Sequence, residues 1–291
     1  MERIINGKKI AQDLVAKCKH CVSVLQAKHN TLPKLVILMI GNNEASKVYV
    51  KNKLKRAEKV NIEAKLISLN DNVSFSDIEN IIVDLNNDDS VNGIVVQRPL
   101  PNHINVNDVS SLIKIEKDVD GLHPINIGSF ILSSENAMIP CTALACLSII
   151  KSVIYDLSGK NIVIIGRSKI VGLPLSILLN QKNATVTLCH SYTKSLASIS
   201  KKADIVVTAV GKAKYFGCEY FKKDACVVDV GINLLDKSFV GDVDFDQVVN
   251  NIRNITPVPG GVGPVTVAYL LANTIKSFCL MKKDNLYKGL Y

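Results

Sequence analysis

The sequence contains no tryptophan, few aromatic residues and no long apolar run. Aromatic residues make up 5% of its 291 positions. Its basic residues are dispersed, whereas nucleic-acid-binding modules cluster basic and aromatic side chains. No stretch reaches the ~18 consecutive apolar residues that a membrane-spanning helix requires, and the first residues lack the apolar core of a signal peptide. We therefore expect a soluble, cytoplasmic protein with no nucleic-acid partner and no membrane segment.

Acidic residues are the minority among the charged side chains. There are 26 Asp and Glu against 35 Lys and Arg, which gives a formal net charge of +9. An excess of this kind fits an anionic partner, such as a small ligand that carries negative charge. The alternative is that abundant lysines simply solvate the surface, and composition leaves both interpretations open.

The eight cysteines do not form a recognisable metal or disulfide framework. Cys18 and Cys21 have the CxxC spacing of zinc and redox motifs, but they lie in an amphipathic helical pattern without a second ligand pair nearby. No metal site is therefore predicted. The remaining cysteines lie among apolar residues and are predicted to be small, reduced core residues. They are Cys141, Cys146, Cys189, Cys218, Cys226 and Cys279.

Short apolar runs alternate with helical patterns along the whole chain, which predicts two α/β domains with parallel sheets. The predicted strands are Leu35–Ile40, Ala64–Leu69, Gly93–Gln97, Asn161–Ile165, Ala184–Leu188, Asp204–Thr208 and Cys226–Val230. A capping box at Ser76–Glu79 is predicted to open one helix. The last predicted helix, about Val265–Leu280, follows a loop rich in glycine and proline and is expected to return to the first domain.

A glycine-containing turn follows the predicted strand Asn161–Ile165. Gly166 permits a tight turn from strand to helix and Gly172 permits close packing, as in turns that bind a pyrophosphate at a helix N-terminus. Ser168 stands where such turns often have a second glycine. The motif alone is weakly specific, but its position inside a β-α-β-α-β run predicts a dinucleotide site.

The end of the next predicted strand indicates which dinucleotide binds. An NAD site usually has Asp or Glu there to bind the ribose hydroxyls, and the segment Cys189–Lys194 has neither. Arg167 lies in the phosphate turn itself, and a guanidinium with nearby hydroxyls suits a 2′-phosphate. NADP is therefore the predicted cofactor. The alternative is that Arg167 and Lys194 are merely solvated.

Four polar residues are candidates for catalysis, each with a structural alternative. Tyr49 and Lys53 share a face of a lysine-rich helix, and the surrounding cations are expected to lower the pKa of Lys53 and make it a usable acid or base. A solvated helix face is the alternative. Gln97 ends a predicted strand, where active-site groups of parallel sheets often lie, although a lone glutamine is usually a surface residue. Asp120 precedes Gly121, so that a simple turn is its alternative role.

Several strings of the sequence occur together, and in the same order, in one enzyme family. The strings are VYVKNKLKRA, GIVVQRPLP, KDVDGLHPINIG, PCT, GRSKIVGLP, ATVTLCHSYT and TPVPGGVGPVTVAYLLANT. They extend from about residue 46 to residue 274, and the DGLHP and TPVPGGVGP blocks are the most specific. On these strings the sequence resembles the methylenetetrahydrofolate dehydrogenase/cyclohydrolase family.

The resemblance implies an activity in one-carbon metabolism and a division of the chain. The activity is NADP-dependent oxidation of 5,10-methylenetetrahydrofolate, followed by hydrolysis of the methenyl product to 10-formyltetrahydrofolate. Residues 1–137 with 272–291 would form an α/β folate-binding domain, and 138–271 a Rossmann domain for NADP. A homodimer is also implied, as are tetrahydrofolate substrates. Polyglutamylated forms of these substrates would suit the positive net charge. No metal is implied.

The resemblance also assigns roles to single residues. Lys53 matches the catalytic lysine and Gln97 the glutamine that supports it. Tyr49 matches the tyrosine that packs on the folate rings, and Asp120 the aspartate that holds the pterin edge. The cofactor-binding matches are Gly166, Arg167, Ser168, Ser191, Ile232 and Thr266. The matches for the backbone beside the substrate are Pro259, Gly260 and Gly261.

Three positions depart from the family pattern. Arg98 stands where the family more often has leucine, and it adds a cation to the loop after Gln97. Ala143 and Ala145 replace a usual proline and glycine at the predicted start of a helix. None of these is a matched catalytic position, so they bear on kinetics rather than on the type of reaction.

Two other functions compete with this prediction. The first is another two-domain NADP dehydrogenase, similar to shikimate dehydrogenase, against which Gln97 and the DGLHP block argue. The second is an inactive relative that only binds its ligand, against which intact Lys53, Gln97 and Asp120 argue.

Overall fold

Helices and strands alternate along the chain, as the apolar pattern predicts. The computed structural model describes residues 3–236 and 238–291. Its helices are α1 (Gly7–His29), α2 (Glu44–Lys59), α3 (Phe75–Asn87), α4 (Val106–Leu112), α5 (Pro124–Ile131), α6 (Cys141–Val153), α7 (Gly172–Asn180), α8 (Leu196–Ser200), α9 (Phe245–Val248) and α10 (Val262–Met281). Its strands are β1 (Lys34–Ile40), β2 (Glu63–Leu69), β3 (Gly93–Gln97), β4 (Asn161–Ile165), β5 (Thr185–Cys189), β6 (Ile205–Thr208), β7 (Cys226–Asp229), β8 (Asn233–Leu235), β9 (Ser238–Val240) and β10 (Asn254–Ile255).

The chain divides into two compact units. The first contains Asp13–Cys141 and Val267–Tyr291, and the second contains Thr142–Thr266 and the described residues before Asp13. These units differ from the predicted domains by a few residues at each boundary and in the placement of the N-terminal segment, where Ile4 forms a bridge with Ile255. The assignment of a folate domain and an NADP domain to these residues stays a prediction. Met1, Glu2 and Lys237 lie outside the described residues.

The first unit is built on a parallel sheet with the strand order β2-β1-β3. Six of the seven residues of the central strand, Leu35–Ile40, are buried. A strand covered on both faces has no polar side to alternate with its apolar side, which explains the uninterrupted apolar run. The register places Met39 beside Gln97, so Gln97 lies at the carboxyl end of this sheet.

The second unit is built on a five-stranded parallel sheet with the order β10-β7-β6-β4-β5. Residues 162–165 of β4 and all four residues of β6 and β7 are buried. The apolar runs predicted these strands to within a residue at each end. An antiparallel hairpin, β8-β9, follows β7. The sequence analysis missed it, because β8 and β9 are short and largely exposed.

The last long helix returns to the first unit, as predicted. His29 at the end of α1 lies with its ring edge against Phe278 of α10, with ring centroids 5.8 Å apart. Lys28 and His29 also bond the carboxylate of Asp284, just beyond α10. The helix α10 is long and apolar enough to cross a membrane by composition, but 78% of its most apolar stretch is buried inside the protein, as expected for a core helix.

Two local predictions were wrong. The capping residue of α3 is Ser74 rather than Ser76, and its hydroxyl accepts a hydrogen bond from the Asp77 amide at 3.1 Å. Cys218 is only partly buried, because it lies in a surface turn where its thiol reaches the Gln247 carbonyl at 3.3 Å. The other seven cysteines are buried, and burial raises the pKa of Cys18 to about 12.

Candidate active site

The centre of the candidate site in the first unit is a lysine–glutamine pair. Lys53, on α2, donates a hydrogen bond from Nζ to Gln97 Oε1 at 2.9 Å. The other end of the Gln97 amide is also fixed, because Nε2 donates to the Arg98 carbonyl at 2.7 Å. Ser46, on the buried side of α2, donates to the same carbonyl. The amide therefore presents its oxygen to the lysine in a defined orientation.

The amine of Lys53 has a lowered pKa, as predicted, but for a different reason. Burial is the main cause of the lowering, and the charge of Asp120 opposes it. The neighbouring lysines on α2 were predicted to cause the shift, and they do not. Lys51 and Lys55 are exposed. Each is two residues from Lys53 along α2 and therefore lies on the other side of the helix. A desolvated amine is closer to neutrality at physiological pH and can exchange protons there.

Two aspartates two residues apart have different surroundings. Asp118 is buried, and its carboxylate accepts bonds from the backbone amides of Gly121, Leu122 and His123 and from the Asn126 side chain. Its burial raises its pKa against the effect of these donors. Asp120 is half-buried, and among the described residues its carboxylate has no hydrogen-bond donor. The turn is therefore held by Asp118, and Asp120 is not needed to form it.

Lys117 belongs to the same block but faces away from the site. Its side chain is fully buried, and Nζ donates to the carbonyls of Leu85, Asn86 and Asp88 at 2.8–3.0 Å. These carbonyls lie at the C-terminal end of α3, where helices leave backbone acceptors without partners. Lys117 therefore ties the block to the fold, and the sequence analysis did not identify this role.

Three further side chains lie in this part of the first unit. Tyr49, one turn before Lys53 on α2, is half-buried, and burial raises its pKa. Burial lowers the pKa of the Arg98 guanidinium, and the charge of Asp120 opposes that effect. Burial raises the pKa of Cys141 well above the usual thiol value, and the charge of Lys53 opposes it. The sequence analysis treated Cys141 as a core residue, which its burial bears out, but did not place it beside the lysine.

In the second unit the predicted dinucleotide turn is built from glycine backbone. Gly166 has a φ of +124°, and a Cβ atom there would lie 2.3 Å from the Ala209 carbonyl oxygen. A Cβ on Gly172 would lie 1.8 Å from the Gly166 oxygen. Both positions therefore exclude a side chain. Ser168 closes the turn, since its hydroxyl accepts from the Val171 amide at 3.2 Å. Such a turn brings backbone amides close to a bound phosphate.

The loop after β5 has hydroxyls and cations, as predicted, and no carboxylate. Arg167 and Ser191 are both exposed. The guanidinium carbon of Arg167 lies 5.9 Å from the ring centroid of Tyr192. His190 and Thr193 close the loop on itself, because the His190 amide donates to the Thr193 hydroxyl at 2.9 Å. The glycine turn and this loop thus present an accessible guanidinium and an accessible hydroxyl.

The remaining predicted residues of the second unit surround the start of α10. Thr266 donates its hydroxyl to the Val262 carbonyl in the first turn of that helix. Ile232 lies close to Gly263, since a Cβ atom added to Gly263 would be 3.8 Å from Ile232 Cδ1. The loop before α10 contains Pro259, Gly260 and Gly261. A Cβ on Gly261 would lie 2.6 Å from the Pro257 oxygen, so this loop also depends on bare backbone.

A pair of buried carboxylates fixes the loops at the carboxyl end of the second sheet. Asp229 accepts bonds from Thr208 Oγ1 and from the amides of Gly231, Asp242 and Val243. Asp242 accepts from the amides of Val210, Gly211 and Lys212 and from Asn233. Burial raises the pKa of Asp229 to about 6. Sequence analysis did not identify these aspartates, because their donors are backbone amides of several separate loops.

No group of three or more His, Cys, Asp or Glu side chains in residues 3–236 and 238–291 is arranged to hold a metal ion. In the first unit the described residues include a desolvated lysine bonded to a glutamine, and an aspartate without a hydrogen-bond donor. In the second they include a tight glycine turn between a strand and a helix.

Comparison with known families gives two matches, one for each part of the chain. The catalytic-domain model of the tetrahydrofolate dehydrogenase/cyclohydrolase family matches residues 5–120. The NAD(P)-binding-domain model of the same family matches residues 140–282. Over 279 residues the chain is 48% identical to the bifunctional protein FolD of Rickettsia bellii (strain RML369-C), which covers 96% of this chain and 99% of that protein.

Solved structures of the same kind superpose on nearly the whole chain. The bifunctional FolD dehydrogenase/cyclohydrolase of Campylobacter jejuni has a TM-score of 0.91 and 41% identity, covering 96% of this chain and 98% of that one. The Trypanosoma brucei enzyme, in complex with NADP and an inhibitor, has a TM-score of 0.90 and 37% identity, covering 94% and 96%. Shikimate 5-dehydrogenase of Thermus thermophilus, at 12% identity and a TM-score of 0.53 over 88% of this chain and 97% of that one, shares the general fold and no more.

Proposed function

The chain belongs to the tetrahydrofolate dehydrogenase/cyclohydrolase family, and from this premise we propose how its residues carry out the two reactions. It is a bifunctional enzyme that oxidises 5,10-methylenetetrahydrofolate with NADP+ and hydrolyses the methenyl product to 10-formyltetrahydrofolate. The observation that carries the assignment of residues is the 2.9 Å hydrogen bond between Lys53 Nζ and Gln97 Oε1. The negative charge of Asp120 also raises the pKa of the same amine.

The dehydrogenase step depends mainly on alignment. Bound NADP+ would supply the acceptor for the hydride of the methylene carbon, and the nitrogens of the folate would stabilise the resulting methenyl cation. The part of the protein is to hold the folate in one orientation. Asp120, which has no donor of its own among the described residues, would bind the N–H groups of the pterin edge. Tyr49 would pack on the folate ring system, and Pro259, Gly260 and Gly261 would contact the substrate through their backbone.

The cyclohydrolase step requires movement of protons, which we assign to Lys53. The amine takes a proton from the water that attacks the methenyl carbon, and it returns a proton to N5 as the carbon–N5 bond breaks. The net reaction consumes one water and releases one proton. Gln97 accepts a hydrogen bond from the Lys53 amine and so fixes its orientation. The lone pair of the neutral amine, or the remaining protons of the charged amine, would then face the substrate. Arg98, where the family more often has leucine, adds a positive charge near Asp120.

The fit to NADP rests on the glycine turn and on the loop after β5. The tight turn that Gly166 and Gly172 permit, closed by Ser168, would direct backbone amides towards the pyrophosphate. Arg167 and Ser191 would bind the 2′-phosphate, in place of the acid that holds the ribose of NAD. Ile232 and Thr266, beside the start of α10, would contact the rest of the cofactor. We further propose a homodimer, a cytoplasmic location and acceptance of polyglutamylated folates.

The test is an absorbance experiment with purified protein, methylenetetrahydrofolate and NADP+. We expect NADPH to accumulate and the methenyl absorbance to rise and then decay as the ring opens. In the absence of NADP+, added methenyltetrahydrofolate should be hydrolysed faster than in buffer. Failure to form NADPH would contradict the dehydrogenase assignment, and hydrolysis at the buffer rate would contradict the cyclohydrolase assignment.

A further inference from the structure

Asn273 is a fully buried residue of α10 whose side-chain amide joins separate backbone segments of the first unit. Its Nδ2 atom donates to the Val119 carbonyl at 2.8 Å and to the Ile139 carbonyl at 3.0 Å, and lies 3.4 Å from Cys141 Sγ. Tyr291 donates its hydroxyl to the Asn273 oxygen. Both ends of the amide are therefore engaged, and its orientation is fixed.

The two segments that Asn273 joins are residues 119–121 and 139–141, which we call the floor. Their backbones touch, because a Cβ on Gly121 would lie 2.6 Å from the Ile139 carbonyl carbon. Cys141 adds a third connection by donating its thiol to the Val119 carbonyl at 3.3 Å. The floor is thus one closely packed layer, in which a shift of one segment must move the other.

The floor contains Asp120, whose charge acts on Lys53, and the buried thiol of Cys141. Lys53 itself is held by its hydrogen bond to Gln97, which lies on β3. The amine is therefore held by the sheet, whereas the floor is tied both to β3, by the bridge between Asp118 and Ile94, and to α10, by Asn273. Substrate that binds both Asp120 and the vicinity of Lys53 requires these two supports to agree.

We propose that Asn273 is a positioning residue for the cyclohydrolase reaction, which fixes the floor and thereby the placement of Asp120 relative to the Lys53 amine. This role rests on the proposed function of Lys53 and Asp120. Asn273 touches neither reacting group, so its influence acts through the backbone of Val119 and Ile139. A residue with a purely structural role would affect stability alone.

The experiment compares Asn273→Leu and Tyr291→Phe with Ser277→Ala in the full chain. Leucine has the branched shape and the number of heavy atoms of asparagine but removes both N–H donors and the oxygen that accepts from Tyr291. Ser277 lies one turn further along α10 and is equally buried, and it donates to the carbonyls of Asn92 and Glu116 rather than to the floor. Ser277→Ala therefore reports the effect of losing a buried hydrogen bond from α10 while the floor remains tied.

Thermal stability, NADP+ affinity, and the cyclohydrolase kcat and KM across neutral pH are measured for each protein. We expect Asn273→Leu to lower kcat/KM by about tenfold or more, since a misplacement of about 1 Å can cost up to 10²-fold. The pH midpoint of kcat should move down, because Asp120 then no longer supports the pKa of Lys53. NADP+ affinity should not change. Tyr291→Phe should give a smaller effect in the same direction, and it keeps the test available if Asn273→Leu does not fold.

If Asn273→Leu has the same kinetic constants and the same pH midpoint as Ser277→Ala, the positioning role is overturned. A loss of kcat in Asn273→Leu without a shift of the pH midpoint would also overturn it. Wild-type turnover is measured first. Its absence would overturn the proposed function and the positioning role together, whereas normal wild-type turnover with variants that match the control would overturn the positioning role alone.

Discussion

The two units of the chain build their sites from different material. In the first, the chemistry that we propose depends on the side chains of Lys53, Gln97 and Asp120. In the second, the predicted cofactor turn depends on backbone that only Gly166 and Gly172 permit. A side chain at the end of a helix or strand can be exchanged while the fold remains, but a backbone turn without room for a Cβ atom cannot. Substitutions of these side chains in the first unit should therefore lower activity without lowering stability. Substitutions of the glycines in the second unit should lower cofactor binding and stability together.

The same contrast occurs on a smaller scale between Asp118 and Asp120. The buried carboxylate of Asp118 is bonded by three backbone amides and one side chain, while that of Asp120 has no donor among the described residues. One aspartate therefore belongs to the fold and the other is free to bind a ligand. The four predictions below test this distinction between groups that form the structure and groups that act on a ligand.

The largest effect is expected for Lys53→Met, which removes the amine and keeps an unbranched side chain. General acid–base catalysis typically contributes 10²–10⁴-fold, so cyclohydrolase turnover should fall by roughly that factor. NADP+ affinity should not change, because the glycine turn lies in the other unit. Lys51→Met is the matched control, since Lys51 lies on the same helix but is exposed. A turnover in Lys53→Met within a few-fold of that in Lys51→Met would remove Lys53 from the mechanism.

The next effect concerns Gly166→Ala. The new Cβ would overlap the Ala209 carbonyl, and a φ of +124° is unfavourable for alanine. Such strain costs on the order of 1–3 kcal/mol before any overlap is counted, so NADP+ affinity should fall by ~10² or more, with a loss of thermal stability. Gly159→Ala separates the two causes, because Gly159 has a φ of +70° but open space around it. It should retain NADP+ affinity, and equal losses in both variants would show that the overlap at Gly166 is unimportant.

A third prediction contrasts the two aspartates. Losing a charged hydrogen-bond partner costs about 1.5–3 kcal/mol, so Asp120→Ala should weaken folate binding roughly ten- to a hundredfold or slightly more. Its melting temperature should stay close to that of the wild type. Asp118→Ala should instead lower the melting temperature strongly, because it removes a buried carboxylate that accepts from three backbone amides and from the Asn126 side chain. Calorimetry with folate and thermal melts measure both. A folate affinity of Asp120→Ala equal to that of the wild type would make Asp120 a residue of the turn.

The smallest effect is expected for cofactor choice. With Arg167 and no acid after β5, NADP+ should exceed NAD+ in kcat/KM by at least about tenfold, or ~1.4 kcal/mol. The guanidinium is exposed, so the preference should shrink as ionic strength rises. Arg167→Ala should narrow the preference mainly by weakening NADP+. Equal use of both cofactors by the wild type, or an unaltered preference in Arg167→Ala, would contradict this assignment.

The sequence predicted the strands well and the short elements poorly, for one physical reason. Strands β1, β4, β6 and β7 are buried, and burial requires apolar runs that are visible in the sequence. The hairpin β8-β9 is largely exposed, so its side chains carry no such pattern. The capping residue of α3 was misplaced by two positions, because Ser74 and Ser76 both precede the buried apolar residues of the helix and only the backbone geometry shows that the helix begins after Ser74.

The site was predictable where it depends on residue types in a local pattern. The glycine turn and the lack of an acid after β5 are such features, whereas the pairing of Lys53 with Gln97 was expected from the family resemblance alone, since the two residues are 44 positions apart. The cause of the lowered pKa of Lys53 was not predictable, since burial depends on distant segments. The role of Asn273 was not predictable for the same reason, because its side chain donates to the carbonyls of Val119 and Ile139, which lie far from it in the sequence.

The loop that places Tyr192 beside Arg167 is a suitable position for a fluorescent probe of the cofactor turn. Because the chain has no tryptophan, its intrinsic emission comes from tyrosine alone. Tyr192 is 80% exposed, so Tyr192→Trp would remove little packing and would introduce a single indole next to the glycine turn. Its fluorescence should be quenched when NADP+ or NADPH occupies that turn. A titration that leaves the emission unchanged, in a variant that still forms NADPH, would place the dinucleotide elsewhere.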